Sequence, residues 1–272
     1  MTVLYFDYHL IHYSALKMAT TSGNELSSQI KDYVCGTTLP TNMFKLKESL
    51  QSSASPQQKF QLIESNRDVY GNTAVHAAAK RCHPELITSM FDSLADDAIF
   101  QLLMLPGLKS RTAVHCAANK GSTKSTKALF CSLTSDQRYE VMKLQESCGR
   151  TAAHFAAQNG HTEFLAYMLV MVAPDKRCEL LLVTDCLGDT PFHHAARHGH
   201  IEVVKCILDL LPSTAHELLY KITNTHSQTA LDVASRCDQR AVVEYMKQCR
   251  MSSGMQDPQT QGTLQQHCCI KL

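Results

Sequence analysis

The fold is decided by residues 185–204, which read DCLGDTPFHHAARHGHIEVV. The Thr190 hydroxyl can accept a hydrogen bond from a backbone N–H in the first helical turn, and Pro191 then takes the first helical position, where a missing N–H costs nothing. Small residues follow until Gly199, which can end the helix in a left-handed conformation. Ile201 begins an apolar series at helical spacing, so a second, amphipathic helix is expected. The stretch therefore predicts a helical hairpin.

The same pattern recurs at equal intervals along the chain. Five segments start with Thr at intervals of 39 residues, at Thr73, Thr112, Thr151, Thr190 and Thr229. Four of them carry His three residues later, at His76, His115, His154 and His193, whereas the fifth carries Asp232. A pattern that recurs in register predicts a stacked repeat protein.

These residues resemble the ankyrin repeat, whose pattern D-x-x-G-x-T-P-L-H-x-A-A-x-x-G-H-x-x-V-V is matched almost throughout by residues 185–204. The resemblance covers roughly residues 60–250. It implies an all-α, ankyrin-like solenoid of stacked helical hairpins. It also implies that the Thr and His residues of the motif are structural, with each His bracing the loop by hydrogen bonds.

The interval differs from the ankyrin period of about 33 residues. The additional residues follow the second helix, at 134–142 and 173–181, where Ser, Thr, Pro or Asp precedes a Glu and apolar pairs. That composition predicts an extra short helix in each repeat.

Three regions are expected along the chain. Residues 1–59 form an N-terminal region with one degenerate ankyrin-like repeat, which starts at Ser14 and is traced to Leu26. Residues 60–250 form an array of five repeats. Residues 251–272 are rich in Gln, Ser and Gly with little apolar periodicity, so we expect a disordered tail.

The composition argues against several classes of protein. The 26 Lys and Arg against 25 Asp and Glu give a net charge of +1, so no overall field attracts nucleic acid. The longest apolar run, around residues 165–172, is far shorter than the ~20 residues that span a bilayer. The 12 cysteines contain no Cys-x-x-Cys pair, and we interpret them as reduced residues of a cytoplasmic protein.

No enzyme active site and no cofactor are predicted from the motifs. Residues 216–220 imitate the zinc-binding H-E-x-x-H motif, but Tyr220 replaces the second His. Residues 118–125 imitate a phosphate-binding loop, but Ala118 and Thr123 stand where glycines are required. Helices rich in small residues are also expected to leave no deep pocket.

No metal site is predicted either. Histidines at equivalent repeat positions are too far apart to share a zinc ion, because packed helices lie ~8–10 Å apart. A second group contains His194 and His198, one helical turn apart, but we identify no Cys or acidic third ligand near them in sequence. We therefore interpret this group as an exposed surface: His193, His194, His198 and His200.

The expected function is non-catalytic protein–protein interaction, as a scaffold or adaptor. The resemblance implies a concave face formed by the first helices and the loops before them. The seventh and eighth positions after each Thr carry five basic residues and no acidic one, which favours an acidic or phosphorylated protein segment as partner. The candidate partner-binding residues are Tyr70, Lys80, Arg81, Leu108, Lys120, Leu187, Arg197, His198 and His226. The extra helices around Arg138 and Arg177 are the alternative location.

The C-terminal residues favour a second interpretation. Cys269 begins a C-a-a-X prenylation box, although Lys271 is charged where an aliphatic residue is preferred. Cys268 could carry the second lipid that stable anchoring requires. The alternative function is therefore a membrane-tethered adaptor or a secreted effector, with membrane association only if the cysteine is lipidated.

Overall fold

The structure is a computed structural model that describes residues 24–35, 46–50 and 55–252. Two helices, α1 (24–35) and α2 (46–50), precede α3 (Pro56–Ser65). The helix α1 lies where the second helix of the predicted degenerate repeat would fall, whereas residues 14–23 of that repeat lie outside the described residues. Cys268 and Cys269 also lie outside them.

Within the described residues, three α-helices form each of the first four repeats and two form the fifth. The first two repeats contain α4 (Ala74–Arg81), α5 (Pro84–Phe91), α6 (Asp96–Met104), α7 (Ala113–Lys120), α8 (Thr123–Leu129) and α9 (Ser135–Met142). The next two contain α10 (Ala152–Gln158), α11 (Thr162–Val170), α12 (Pro174–Leu182), α13 (Pro191–Arg197), α14 (Ile201–Leu210) and α15 (Ser213–Lys221). The fifth contains α16 (Ala230–Arg236) and α17 (Arg240–Ser252). The predicted all-α solenoid is confirmed, and the predicted extra short helix is present in the first four repeats.

The helices stack in layers because equivalent helices of successive repeats pack on one another. The first helices α4, α7, α10, α13 and α16 form one continuous series, and the second helices form another. Close approach of the first helices requires small residues, and the fifth position after each Thr is a fully buried alanine: Ala78, Ala117, Ala156, Ala195 and Ala234. Within the described ranges, extended pairing is limited to one isolated bridge, between Thr223 and Thr229.

The extra helices carry a basic residue that the sequence analysis interpreted differently. Arg138 donates to the Phe130 carbonyl (3.2 Å) and Arg177 to the Leu169 carbonyl (2.8 Å), each at the end of the preceding helix. His216, at the equivalent position of α15, lies 2.7 Å from the Leu208 carbonyl. A cationic or donor group is favourable at a helix C-terminus, where carbonyls lack intrahelical partners. Arg138 and Arg177 therefore help to hold helices together. The alternative binding location around them stays a prediction.

In the first repeat, the donor to the carbonyl groups after the second helix comes from the preceding helix α3. The equivalent residue of the first repeat is Ile99, which has no donor, and Lys59 of α3 supplies one instead. The Lys59 ammonium donates to the Asp92 carbonyl at 2.8 Å and to the Ser93 hydroxyl at 3.2 Å. Lys59 is 2% exposed, and burial lowers its pKa although the Asp92 carboxylate opposes this.

Two helices extend across the predicted ends of the repeat array. Helix α3 crosses the predicted start of the array at residue 60, because it packs in series with α6 and α9 as the third helix of a preceding unit. Helix α17 includes Met251 and Ser252, which were assigned to the tail. In the part of the chain that the structure describes, no helix is both long and apolar enough to cross a bilayer.

Candidate functional site

Each Thr-x-x-His motif joins two repeats by hydrogen bonds. In the third repeat, the His154 Nδ1 lies 3.1 Å from the Thr151 backbone N–H donor and 2.9 Å from its hydroxyl. Nδ1 is therefore the acceptor, and Nε2–H donates to the Asp189 carbonyl of the next repeat at 3.1 Å. The other histidines make the equivalent inter-repeat bonds, from His76 to Arg111, His115 to Arg150 and His193 to Gln228.

These four histidines are neutral because they are buried. Burial lowers the pKa of His76 and His115 to about 4. The pKa of His154 is lowered further, to about 3, first by burial and then by the charge of the nearby His194. Burial also lowers the pKa of His193. A neutral ring with one donor and one acceptor suits this network, whereas an imidazolium would have two donors and no acceptor for the Thr N–H.

A second set of contacts, missed by the sequence analysis, links the ends of the first helices. Gly160 and Gly199 have φ of +73°, and Gly121 has φ of +66°. The ring of His200 packs where a Gly160 side chain would lie, with a Cβ there only 2.7 Å from the His200 Nδ1. His200 Nε2 also lies 3.0 Å from the Gln158 carbonyl. Gly160 is therefore required by both backbone conformation and close contact.

The first repeat lacks this glycine, and the second repeat lacks the histidine that would pack against it. Cys82 takes the same left-handed conformation (φ +59°) as these glycines but carries a side chain. The next repeat accordingly has the small Ser122 where later repeats have His161 and His200. This pairing is visible in the sequence once the two positions are known to touch.

The loops before the first helices form a connected ladder. Each closes on itself, as in the 2.9 Å bond from the Asp185 N–H to the Asp189 carbonyl. From the second loop onward, successive loops are joined by one backbone hydrogen bond, as from the Thr225 N–H to the Leu187 carbonyl at 2.9 Å. Between the first two loops, the Leu108 N–H donates to the Asn72 side-chain oxygen at 3.0 Å instead. The ladder exposes apolar side chains at its tips: Val69, Tyr70, Leu108 and Leu187 are 91%, 61%, 41% and 45% exposed. His226, at the last tip, is exposed as well.

A shallow depression lies between the first two repeats. Its volume is about 120 Å³, and its lining includes Lys80, Arg81, Leu108, Arg111 and Asp68. Small-molecule sites typically occupy ~300–1,000 Å³, so this depression suits one inserted side chain better than a cofactor. It brings together three of the predicted partner-binding residues.

The predicted basic residues differ in what they contact. Lys80 and Lys120 are exposed, and neither forms an ion pair within the described residues. Arg81 is partly engaged, because it donates to the Tyr33 carbonyl at 2.9 Å and its guanidinium carbon lies 4.8 Å from the centre of the Tyr33 ring. His198 is exposed and stacks on His200, with 6.1 Å between ring centroids.

Arg197 requires a correction. Its Nη2 lies 2.7 Å from the Asp189 Oδ2, and the Asp189 side chain is fully buried. Asp189 also accepts the side-chain amide of Asn224 at 3.0 Å. Removing Arg197 would leave a buried carboxylate without its cation, which is strongly destabilising. Arg197 therefore acts within the fold, and is not the free cation that the basic stripe suggested.

The histidine group also requires a correction. His193 and His194 are buried, so they are not an exposed surface. Acidic groups are in fact close, since ligand-type atoms of Asp185, Asp189 and His194 lie within 4.8 Å of one another. The proximity arises because Asp185 and Asp189 belong to the loop that packs beneath α13.

This acidic group has structural partners. The His194 Nε2 lies 2.9 Å from the Asp185 Oδ2, while the other Asp185 oxygen accepts the backbone N–H groups of Leu187 and Asp189. Burial raises the pKa of Asp185, but these hydrogen bonds outweigh it and hold the pKa below its usual value. The Arg197 cation beside Asp189 also opposes a second positive charge. The absence of a metal site stays a prediction.

A similar buried carboxylate lies one repeat earlier. Glu146, whose side chain is fully buried, accepts the Arg150 Nε–H at 2.9 Å and lies 3.6 Å from the Arg111 Nε. Both guanidinium carbons lie over the Phe155 ring, at 4.7 Å for Arg111 and 4.6 Å for Arg150. Although burial raises the pKa of Glu146, the Arg150 hydrogen bond and charge lower it more.

Comparison with known families agrees with this geometry. A family model described as ankyrin repeats (3 copies) matches residues 93–178, 115–211 and 174–257. Together these matches span residues 93–257, more than half of the 272-residue chain. The chain belongs to the ankyrin repeat family. Ankyrin repeats generally act as protein–protein interaction modules without catalytic activity. No curated protein matches the chain.

Proposed function

We propose that this ankyrin repeat protein is a non-catalytic adaptor that binds an acidic or phosphorylated protein segment on its concave face, at the first two repeats. The observation that carries the proposal is the depression between α4 and α7, where the exposed, unpaired Lys80 lies beside the exposed loop tip of Leu108. Lys80, Arg81 and Arg111 line it against a single acidic residue, Asp68.

Asp68, the one acidic residue in the lining, already accepts hydrogen bonds from its own loop. The Asp68 carboxylate accepts the backbone N–H groups of Tyr70 and Asn72 and the side-chain amide of Asn72. Burial raises the pKa of Asp68, but these hydrogen bonds together lower it. Asp68 is thus fixed in the loop, and Lys80 and Lys120 are available for charge-assisted hydrogen bonds with a partner.

The apolar contacts would come from the loop tips. Leu108 lines the depression, Tyr70 lies at the tip of the preceding loop, and both side chains are exposed. An aromatic residue at the centre of an interface typically contributes much of the affinity. The charges would select an acidic partner and speed its association. Leu187, two repeats away, would contact a segment long enough to follow the loop ladder.

The proposal can be tested with displayed random peptides selected on the full chain. We expect the enriched peptides to combine acidic residues with an apolar side chain, and their affinity to fall at raised salt. Lys80→Glu combined with Lys120→Glu should weaken a selected peptide about tenfold or more, which corresponds to ~1.4 kcal/mol.

The matched control is Lys124→Glu. Lys124 belongs to the same repeat as Lys120 and is also exposed, but it lies on the second helix α8, whereas Lys120 lies on the first helix α7 next to Asn119, which lines the depression. The control should bind the selected peptide like the unaltered chain. Enrichment of peptides without acidic residues, or equal binding by the double variant, would refute the proposal.

Two further properties are proposed without structural support in the described residues. A cytoplasmic location rests on the interpretation of the cysteines as reduced. Anchoring by lipid on Cys269, with Cys268 as a second acceptor, rests on the C-a-a-X box alone. The intact mass of the protein from cells that contain a prenyltransferase would show whether an isoprenoid is attached.

A further inference from the structure

The loop ladder brings two cysteines of different repeats together. The Cys186 N–H donates to the Cys148 carbonyl at 2.9 Å. The same bond joins Ser147 to Lys109 and Thr225 to Leu187 in neighbouring loops, so it is a regular feature of the stack. Only the junction of the third and fourth repeats places cysteine at both positions among these three bonds.

The backbone separation at this junction suits a disulfide. A single N–H···O=C bond of 2.9 Å places the two backbones in direct contact, and a disulfide requires Cα atoms about 4.4–6.8 Å apart. The two loops touch, because a Cβ on Gly149 would lie 3.0 Å from the Cys186 nitrogen. Both thiols are free, with Cys186 exposed and Cys148 partly exposed.

We infer that Cys148 and Cys186 form an oxidisable dithiol site that closes to a disulfide between the third and fourth repeats when the protein meets a peroxide. The site takes hydrogen peroxide as its oxidant and needs no metal. The disulfide would add a covalent link between two loops whose backbones are joined by a single hydrogen bond in the reduced protein.

The reaction proceeds in two balanced steps. The more exposed Cys186 thiolate attacks one peroxide oxygen, the O–O bond breaks, and Cys186 becomes a sulfenic acid with release of water after protonation. The Cys148 thiolate then attacks the Cys186 sulfur, the S–O bond breaks, and hydroxide leaves and is protonated to a second water. The two thiols are oxidised by two electrons, and one peroxide is reduced to two waters.

The groups around Cys186 determine the pH range in which its thiolate forms and reacts with peroxide. Loss of solvation, the Asp185 carboxylate and the Cys148 thiolate raise the pKa of Cys186, and only the Cys186 backbone and the Arg150 cation oppose them. Because the thiolate is the nucleophile, the oxidation rate should rise as the pH is raised from 7 towards 9. The nearby Cys148 makes the second step intramolecular, which favours the disulfide over further oxidation.

The test uses the full chain, one equivalent of hydrogen peroxide and peptide mapping without reduction. Trypsin places Cys148 in residues 144–150 and Cys186 in residues 178–197, which also contain Cys178. We expect a linked pair of these peptides in monomeric protein, with a mass lower by two hydrogen atoms. The oxidised protein should melt several degrees higher than the reduced protein, and a reductant should reverse the shift.

Cys178→Ser is the matched control, because it removes the other cysteine of the same peptide. The linked pair should persist in Cys178→Ser and disappear in Cys186→Ser and in Cys148→Ser. The inference is overturned if the linked pair is lost in Cys178→Ser, or if peroxide consumes both thiols of the unaltered chain without linking them.

Discussion

Lys80 and Arg197 occupy the same position in the first and fourth repeats, seven residues after the Thr of the repeat motif, yet their side chains differ in what they contact. Lys80 is exposed beside the depression and forms no ion pair in the described part of the chain. Arg197 is held 2.7 Å from the buried Asp189. The difference lies in the residue just before each Thr, which is Asn72 in the first repeat and Asp189 in the fourth.

The third repeat supports this rule. There the residue before Thr151 is Arg150, and its Nη1 donates to the Gln158 side chain at 3.3 Å. Residues just before the Thr and seven after it therefore face each other within one repeat. An acidic residue just before the Thr forms an ion pair with a basic residue seven after it, whereas a neutral residue there leaves the basic residue unpaired. The face formed by the first helices is thus divided between these repeats, because the first repeat presents an unpaired base whereas the fourth pairs its base within the fold.

The largest effect expected is on acid stability. In the unfolded chain the motif histidines regain a pKa near 6.5, whereas His76 and His115 titrate near 4 and His154 near 3 in the folded chain. The unfolded state therefore binds more protons as the pH falls from 6.5 to 4, and each histidine lowers the free energy of unfolding by up to about 1.4 kcal/mol per pH unit. We expect a loss of several kcal/mol, measured by urea unfolding at pH 7.5, 6 and 4.5.

His154→Gln and His76→Gln compare how much a motif histidine of the third repeat and one of the first repeat contribute to this acid sensitivity. His154→Gln removes the histidine with the lowest pKa, so the variant should be less stable at pH 7.5 and should lose less stability on acidification. His76→Gln should show the same behaviour with a smaller change in slope. Equal stability of the unaltered chain at pH 7.5 and 4.5 would show that the histidines are not buried as neutral rings.

A smaller effect is expected from two glycines with left-handed backbones. Gly71, in the first loop, has φ of +80° and open space where a Cβ would lie, whereas Gly160 has φ of +73° and His200 in contact. Gly71→Ala should cost only the backbone term of about 1 kcal/mol. Gly160→Ala should cost ~2–3 kcal/mol, because the His200 ring must also move and lose its bond to the Gln158 carbonyl.

Thermal unfolding of both glycine variants measures this difference. If Gly71→Ala destabilises the protein as much as Gly160→Ala, then the close packing of the later repeats adds nothing to the backbone term.

Much of the fold could be predicted from the sequence because the same local helix signals recur in each repeat. The Thr, Pro, Ala and Gly residues around 190–199 are local signals for starting, packing and ending a helix, and five copies in register leave few alternative folds. The extra helices also followed from composition. The boundaries at 60 and 250 were less accurate, because α3 and α17 cross them and their packing partners lie in other repeats.

The candidate site was only partly predictable, because its side chains meet through contacts between repeats. The exposure of Tyr70, Leu108 and Leu187 follows from their place at loop tips. The pairing of Arg197 with Asp189 depends on a facing geometry that no helical periodicity reveals. The same applies to Asp185 beneath His194. Their spacing of eight or nine residues spans a loop and a helix, so neither i+3 nor i+4 reasoning connects them.

The division of the face formed by the first helices is tested most directly by reversing the same position in two repeats. Thermal and urea unfolding of Lys80→Glu should match those of the unaltered chain within ~0.5 kcal/mol, since exposed substitutions are usually neutral. Arg197→Glu should lower the free energy of unfolding by roughly 3 kcal/mol, because it places a second carboxylate beside the buried Asp189. Equal stability of the two variants would contradict the account, since Arg197 would then be as free as Lys80.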